Sequence, residues 1–198
     1  RFGMANQAYS FDGVSSYLNM GNPTALQINN KITVSVWING NVFNDANSGV
    51  FHPILSKQSA NTAIPKGYQL AQSFYSAFSI CSEYACGATS PNGQYHSFQN
   101  PGSALTVNNW FHLVLTIDDK VLTFYQNGVN VGLNVTSQFQ ENILADGSLG
   151  DLLIGATTIL SATPNRFFNG IIDDVIIYNR ALSATEVNQL YQQTITKY

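Results

Sequence analysis

Acid–base catalysis needs two groups that can meet, and the acidic residues of this chain do not pair in any way that serves it. Glycoside hydrolysis requires two carboxylates at a defined separation across the scissile bond. No string of the form E-x-D-x-x-E, which would set such acids along one strand, occurs. Asp173 and Asp174 are adjacent in a segment that reads as a strand, so alternation points them to opposite faces. Asp118 and Asp119 fall in a turn, and His52, His96 and His112 are scattered, none within a recognised nucleophile motif. His112 sits in an apolar strand and reads as packing. A lyase would need Tyr, His and Arg gathered on one sheet face, and nothing in the chain points to that. The expectation is a protein that is not an enzyme.

Cys81 and Cys86 are separated by Ser82–Ala85, and no second Cys or His pair completes a zinc motif. Oxidised, they close a small ring across a hairpin that acts by local stiffening; reduced, they are two loop thiols. Binding chemistry is better represented. Sugar sites use aromatic faces against C–H groups and amides or acids against hydroxyls, in a shallow groove. Tyr68, Phe74, Tyr75, Phe78, Tyr84, Tyr95 and His96 lie in one stretch with Asn and Gln beside them. Phe74 and Phe78 are assigned to the core. Tyr84, Tyr95 and Asn92, near the cysteines, are the candidate ligand-binding residues. Trp37 and Trp110 start or sit in strands and are assigned structural roles.

These residues need elements to hold them, and 198 residues with 44% hydrophobic content can build a core unaided. Only 10% of residues are charged, against about 25% in an ordinary domain, and the net charge is −3. With no basic cluster, nucleic acid is excluded as a partner. No apolar run approaches the ~18 residues of a membrane span, so no membrane insertion is expected. Strand signals dominate. Ile32–Ile38 alternates, with Ile32, Val34, Val36 and Ile38 on one face and Thr33, Ser35 and Trp37 on the other. Trp110–Ile117 and Val121–Tyr125 follow, then Asn127-Gly128, the strongest short hairpin signal. Asp151–Gly155 and Gly170–Tyr178 are late strands. Only the end reads helical: Ser183-Ala184-Thr185-Glu186 is a capping box, with Val187, Leu190 and Tyr191 at helical spacing. Residues 41–67 and 84–105 read as long loops. No composition break divides the chain, so residues 1–198 are expected to form a single domain.

Four segments in order carry a resemblance: AYSFDGVSSYLNMG, TVSVWIN, NNWFHLVLTIDDKVLTFYQNGVNVG and FFNGIIDDVIIYNRALSATEVNQLY. Together they resemble the laminin-G-like jelly rolls of the concanavalin A-like lectin/glucanase superfamily over nearly the whole chain, departing between residues 41 and 105. The resemblance implies an all-β, two-sheet antiparallel sandwich with a short C-terminal helix, its first and last strands neighbours. It also implies a structural calcium held by Asp173, with Asp12 or its neighbouring carbonyls second; calcium takes several hard oxygen ligands, which carboxylates and turn carbonyls supply. The alternative for Asp12 is to shape an Asp-Gly turn. Fold alone does not set function. The expected function is a non-catalytic carbohydrate-binding module of a larger secreted or cell-surface protein, with a glycan or glycoconjugate as partner. The alternative is a structural or protein-binding adhesin spacer without a sugar site.

Overall fold

The protein is described by a computed structural model over residues 8–28, 31–42, 52–58, 67–73, 77–80, 96–99, 105–119, 121–131, 135–136, 150–158 and 161–197. In chain order the strands are β1 (Tyr9–Asp12), β2 (Leu18–Asn19), β3 (Lys31–Gly40), β4 (His52–Gln58), β5 (Gly67–Ser73), β6 (Ala77–Ile80) and β7 (His96–Gln99). They continue with β8 (Trp110–Asp118), β9 (Val121–Gln126), β10 (Val129–Asn130), β11 (Val135–Thr136), β12 (Leu152–Ile154), β13 (Ala156–Thr157), β14 (Arg166–Phe167) and β15 (Asn169–Tyr178). One helix, α1 (Ala184–Thr194), follows. A seven-stranded sheet runs β1-β15-β3-β8-β9-β10 with β11 also on β9; a six-stranded sheet runs β2-β12-β4-β5-β6-β7; β13 and β14 pair separately. Every pairing is antiparallel, and β1 lies against β15 as the resemblance implies.

The alternation in β3 explains the layers. Ile32, Val34, Val36 and Ile38 stand opposite Ile117, Leu115, Leu113 and Phe111 of β8, and all belong to the main core. Ile54, Leu55, Tyr68, Leu70, Leu152 and Ile154 supply the facing side of that core from the second sheet. Each fully buried side chain of this size contributes roughly 1.5–3 kcal/mol. The other face of β3 is buried too: Thr33, Ser35 and Trp37 are nearly inaccessible. It is roofed by α1, whose Val187 packs with Val114, Tyr125 and Leu182.

The helix is placed by its own sequence. Ser183 Oγ accepts from Glu186 N–H, and Ser183 N–H donates to Glu186 Oε2 at 2.8 Å, completing the capping box. Arg180 grips the same glutamate at 2.7 Å. Thr33 Oγ1 donates to Arg180 O and accepts from Leu182 N–H, so a strand hydroxyl fixes where the connection crosses the sheet.

Strict alternation would set Asp173 on the face of Val175 and Ile177. The register slips between Asp173 and Ile176, and Asp174 takes φ 44°. Ile177 therefore lies opposite core-facing Val34, whereas Asp173 lies opposite Trp37 on the helix side. A bulge re-aims side chains in this way because one extra residue enters one strand. Asp174, the bulged residue, reaches Lys197 Nζ at 3.1 Å, so the pair does not simply divide between the two faces.

Candidate functional site

One row of side chains crosses the seven-stranded sheet on the helix side: Asp173 in register with Trp37, Trp37 with His112, and His112 beside the β9–β10 turn. That turn is Asn127-Gly128, with φ 52° and 75°, the double positive φ that a two-residue hairpin turn of this type requires. Asn127 is bonded twice to β8: its N–H donates to His112 O at 2.8 Å, and its Oδ1 accepts from His112 N–H at 3.0 Å. Tyr191 of α1 lies over the row. Its ring stacks on Trp37 at 5.8 Å and on His112 at 5.9 Å, while Trp37 and His112 stack at 5.1 Å.

Trp37 is buried, and its indole N–H donates to Thr194 Oγ1 at 3.0 Å. The Thr194 hydroxyl in turn donates back into the helix, to Leu190 O at 2.8 Å and Tyr191 O at 3.2 Å. His112 Nε2 and Ser35 Oγ share a hydrogen bond of 2.9 Å, whereas the buried Nδ1 has no partner among the described residues. Burial pushes the His112 pKa down to about 4, opposed by the Asp174 charge. Ser35–His112 has the spacing of a nucleophile and base. Both are only 1% exposed and the imidazole stays neutral, so no substrate reaches them and the pair is structural.

At the end of this stack opens a cleft of about 470 Å³, lined by Trp37, Asn108, Asn109, Trp110, Asn127, Tyr191 and Ile195. That volume falls within the range of small-molecule sites, about 300–1,000 Å³. Asn108 holds φ 61° and donates its N–H to Gly40 O at 2.9 Å, turning the chain into β8. Asn109 Nδ2 donates to Thr106 Oγ1 and Val107 O, at 3.0 and 3.1 Å, which leaves Oδ1 as its remaining acceptor. Trp110 and Tyr191 are half-buried. Two aromatic rings beside three amides make the chemistry that sugar hydroxyls and C–H faces need.

Tyr84, Tyr95 and Asn92, like Cys81 and Cys86, lie outside the described residues. Trp37 serves the structural role the sequence assigns it. Trp110 lines the cleft, a place the sequence reading did not give it; the two asparagines directly before it were the available signal.

Asp12 and Asp173 do not fit one shared calcium. Asp12 stands opposite Asn169, four positions from Asp173 along β15, a separation of about 13 Å, whereas calcium ligands sit 2.3–2.6 Å from the ion. The Asp12 carboxylate is also occupied. Oδ1 accepts from Val14, Ser15 and Ser16 N–H and from Ser16 Oγ at 2.8–3.0 Å, and Oδ2 from Ser15 Oγ at 3.1 Å. Those bonds, the Ser15 amide first, hold its pKa well below the usual carboxylate range. Asp12 thus shapes its turn. Asp173 Oδ1 accepts from Asp174 N–H at 2.8 Å. Among the described residues no group of three or more His, Cys, Asp or Glu gathers as a metal site.

A model of the Concanavalin A-like lectin/glucanases superfamily matches residues 12–188. Adhesion G-protein coupled receptor V1 of Danio rerio is 23% identical over 167 residues, 84% of this chain but only 2% of the receptor. The chain is also similar to domain 4 of AbnA, a GH43 extracellular arabinanase from Geobacillus stearothermophilus in complex with arabinotriose. There the TM-score is 0.64 and the identity 16%, over 97% of this chain and 80% of that one. The Ruminococcus gnavus IT-sialidase CBM40 bound to α2,3-sialyllactose gives a TM-score of 0.68 at 13% identity, over 94% and 97% of the two chains. At these identities the structural likeness speaks for the fold. With the family match running from the β1 turn into α1, the chain belongs to the Concanavalin A-like lectin/glucanases superfamily.

Proposed function

We propose that this chain is a non-catalytic carbohydrate-binding module of an extracellular or cell-surface protein, and that it holds its glycan in the cleft between the β9–β10 turn and the end of α1. The observation that carries the reading is the grouping of Trp110 and Tyr191 with Asn108, Asn109 and Asn127 around one opening. Rings of this kind stack on the apolar faces of sugars while amides exchange hydrogen bonds with hydroxyls. The similar structures, one in complex with arabinotriose and one with sialyllactose, support a glycan as the ligand class. The likeness to an adhesion receptor supports a place outside the cell, and no helix among the described residues is long and apolar enough to cross a membrane.

The test is calorimetric titration of the parent against a glycan it binds, repeated with Trp110→Ala. Loss of the ring should weaken binding by about 1 kcal/mol or more. Tyr84→Ala and Tyr95→Ala serve as the competing location in the same series. Weakening in those two, with Trp110→Ala unchanged, moves the site to the 84–105 segment. No glycan binding by the parent returns the spacer reading.

A further inference from the structure

Resting on that reading, we infer that the cleft takes a neutral glycan and rejects an acidic one. Among the described residues no Lys, Arg or His side chain lines it. Lys197, two positions beyond Ile195, is committed to Asp174 at 3.1 Å. His112 lies beneath the stack, 1% exposed and uncharged above about pH 4, so it supplies no positive charge either.

The amides sharpen the point. Asn109 spends its N–H groups on Thr106 and Val107 and offers an acceptor. Asn127 spends Oδ1 on the His112 amide and offers its N–H groups. Asn108 has no side-chain partner among the described residues and offers both. A hydroxyl donates and accepts, so it satisfies such a mixed set, whereas a carboxylate only accepts. A carboxylate could accept from the Asn127 and Asn108 N–H groups, but it would leave the Asn109 oxygen without a donor and would lose hydration without a cation to replace it. Desolvating an unpaired charge is far more costly than desolvating a bonded hydroxyl. The net charge of −3 opposes anions at longer range as well.

The experiment titrates the intact chain against a neutral arm of arabinotriose, lactose and maltotriose, and an acidic arm of α2,3-sialyllactose and trigalacturonate. The expected result is binding to at least one neutral oligosaccharide at least about tenfold tighter than to either acid. That affinity should be unchanged between low and high salt, since no counterion is released or charge pair screened. It should fall with Trp110→Ala. Asn109→Lys, which replaces an acceptor with a cation, should narrow the gap from both sides, weakening the neutral arm and strengthening the acidic one. Tighter binding of an acidic member, lost on Trp110→Ala, overturns the neutral-ligand inference while leaving the cleft as the site. Neutral binding that ignores Trp110→Ala overturns the cleft itself, and no binding in either arm overturns both.

Discussion

Thr194 is a small residue on which the large ones depend. Its hydroxyl accepts from the Trp37 indole N–H, and it donates to the last turn of α1. Thr194→Val keeps the shape and removes the bond, leaving a buried donor unsatisfied at a cost of about 1–3 kcal/mol. Thermal unfolding should show a lower Tm for Val and a near-parental one for Ser. His112 gives a second residue-scale expectation, with a sign set by its depressed pKa. The folded protein keeps it neutral down to about pH 4, whereas its ordinary value is 6.5. Between those values the unfolded chain binds more protons, so stability falls as pH is lowered. The loss between pH 7 and pH 5 should be about 2 kcal/mol. Denaturant unfolding at the two pH values checks it, and His112→Gln should remove this limb. An equal loss in the variant would assign the dependence elsewhere. Glu186, held down to about 2 by Arg180 and the Ser183 cap, titrates below this window.

At the scale of elements, the β9–β10 turn and α1 are fitted to each other at Gly128. A Cβ there would stand 2.9 Å from Tyr191 Cβ and Cδ1, on a backbone with φ 75°. Gly128→Ala should destabilise by roughly 1–3 kcal/mol through backbone strain. It should also weaken glycan binding by displacing Tyr191, so melting and titration both register it; a loss of stability with binding intact would separate the ring from the site. The sequence announced this hairpin, and also the alternation of β3 and β8 and the capping box, because each is a local signal with a local cause. The second sheet was far less legible. β4 lies inside what reads as a loop, because its pattern HPILSKQ carries a proline at a register slip and a lysine among core residues. Lys57 is fully buried, in register with Tyr68 and Leu152. Its ammonium donates to Asn22 Oδ1 and Gly150 O at 2.5 and 2.9 Å. Only the fold reveals those partners, which come from distant parts of the chain. The cleft was hidden likewise: Trp110 and Tyr191 are far apart in sequence, and each has an ordinary packing explanation alone.

For the molecule as a whole, the question is what joins the beginning of the chain to its end. The resemblance implies an ion between the first turn and the last strand, but the structure joins them by main-chain pairing. Tyr9 through Asp12 stand opposite Ile172 through Asn169 in unbroken register, and Phe11 from this strand packs edge-on against Phe168 at 6.4 Å. Both rings are buried in the main core. The turn that follows is closed by the Asp12 carboxylate, which accepts from three successive amides. An ion that binds only the folded state raises Tm by mass action, and removing it lowers Tm. If β1 is held by pairing and packing, the Tm in EDTA should equal the Tm in added calcium. Asp12→Asn should lower Tm equally in both, because it weakens the acceptor of the turn and not a metal ligand. A chelator-dependent fall that calcium reverses, and that Asp173→Asn abolishes, would return a metal to Asp173 with ligands other than Asp12.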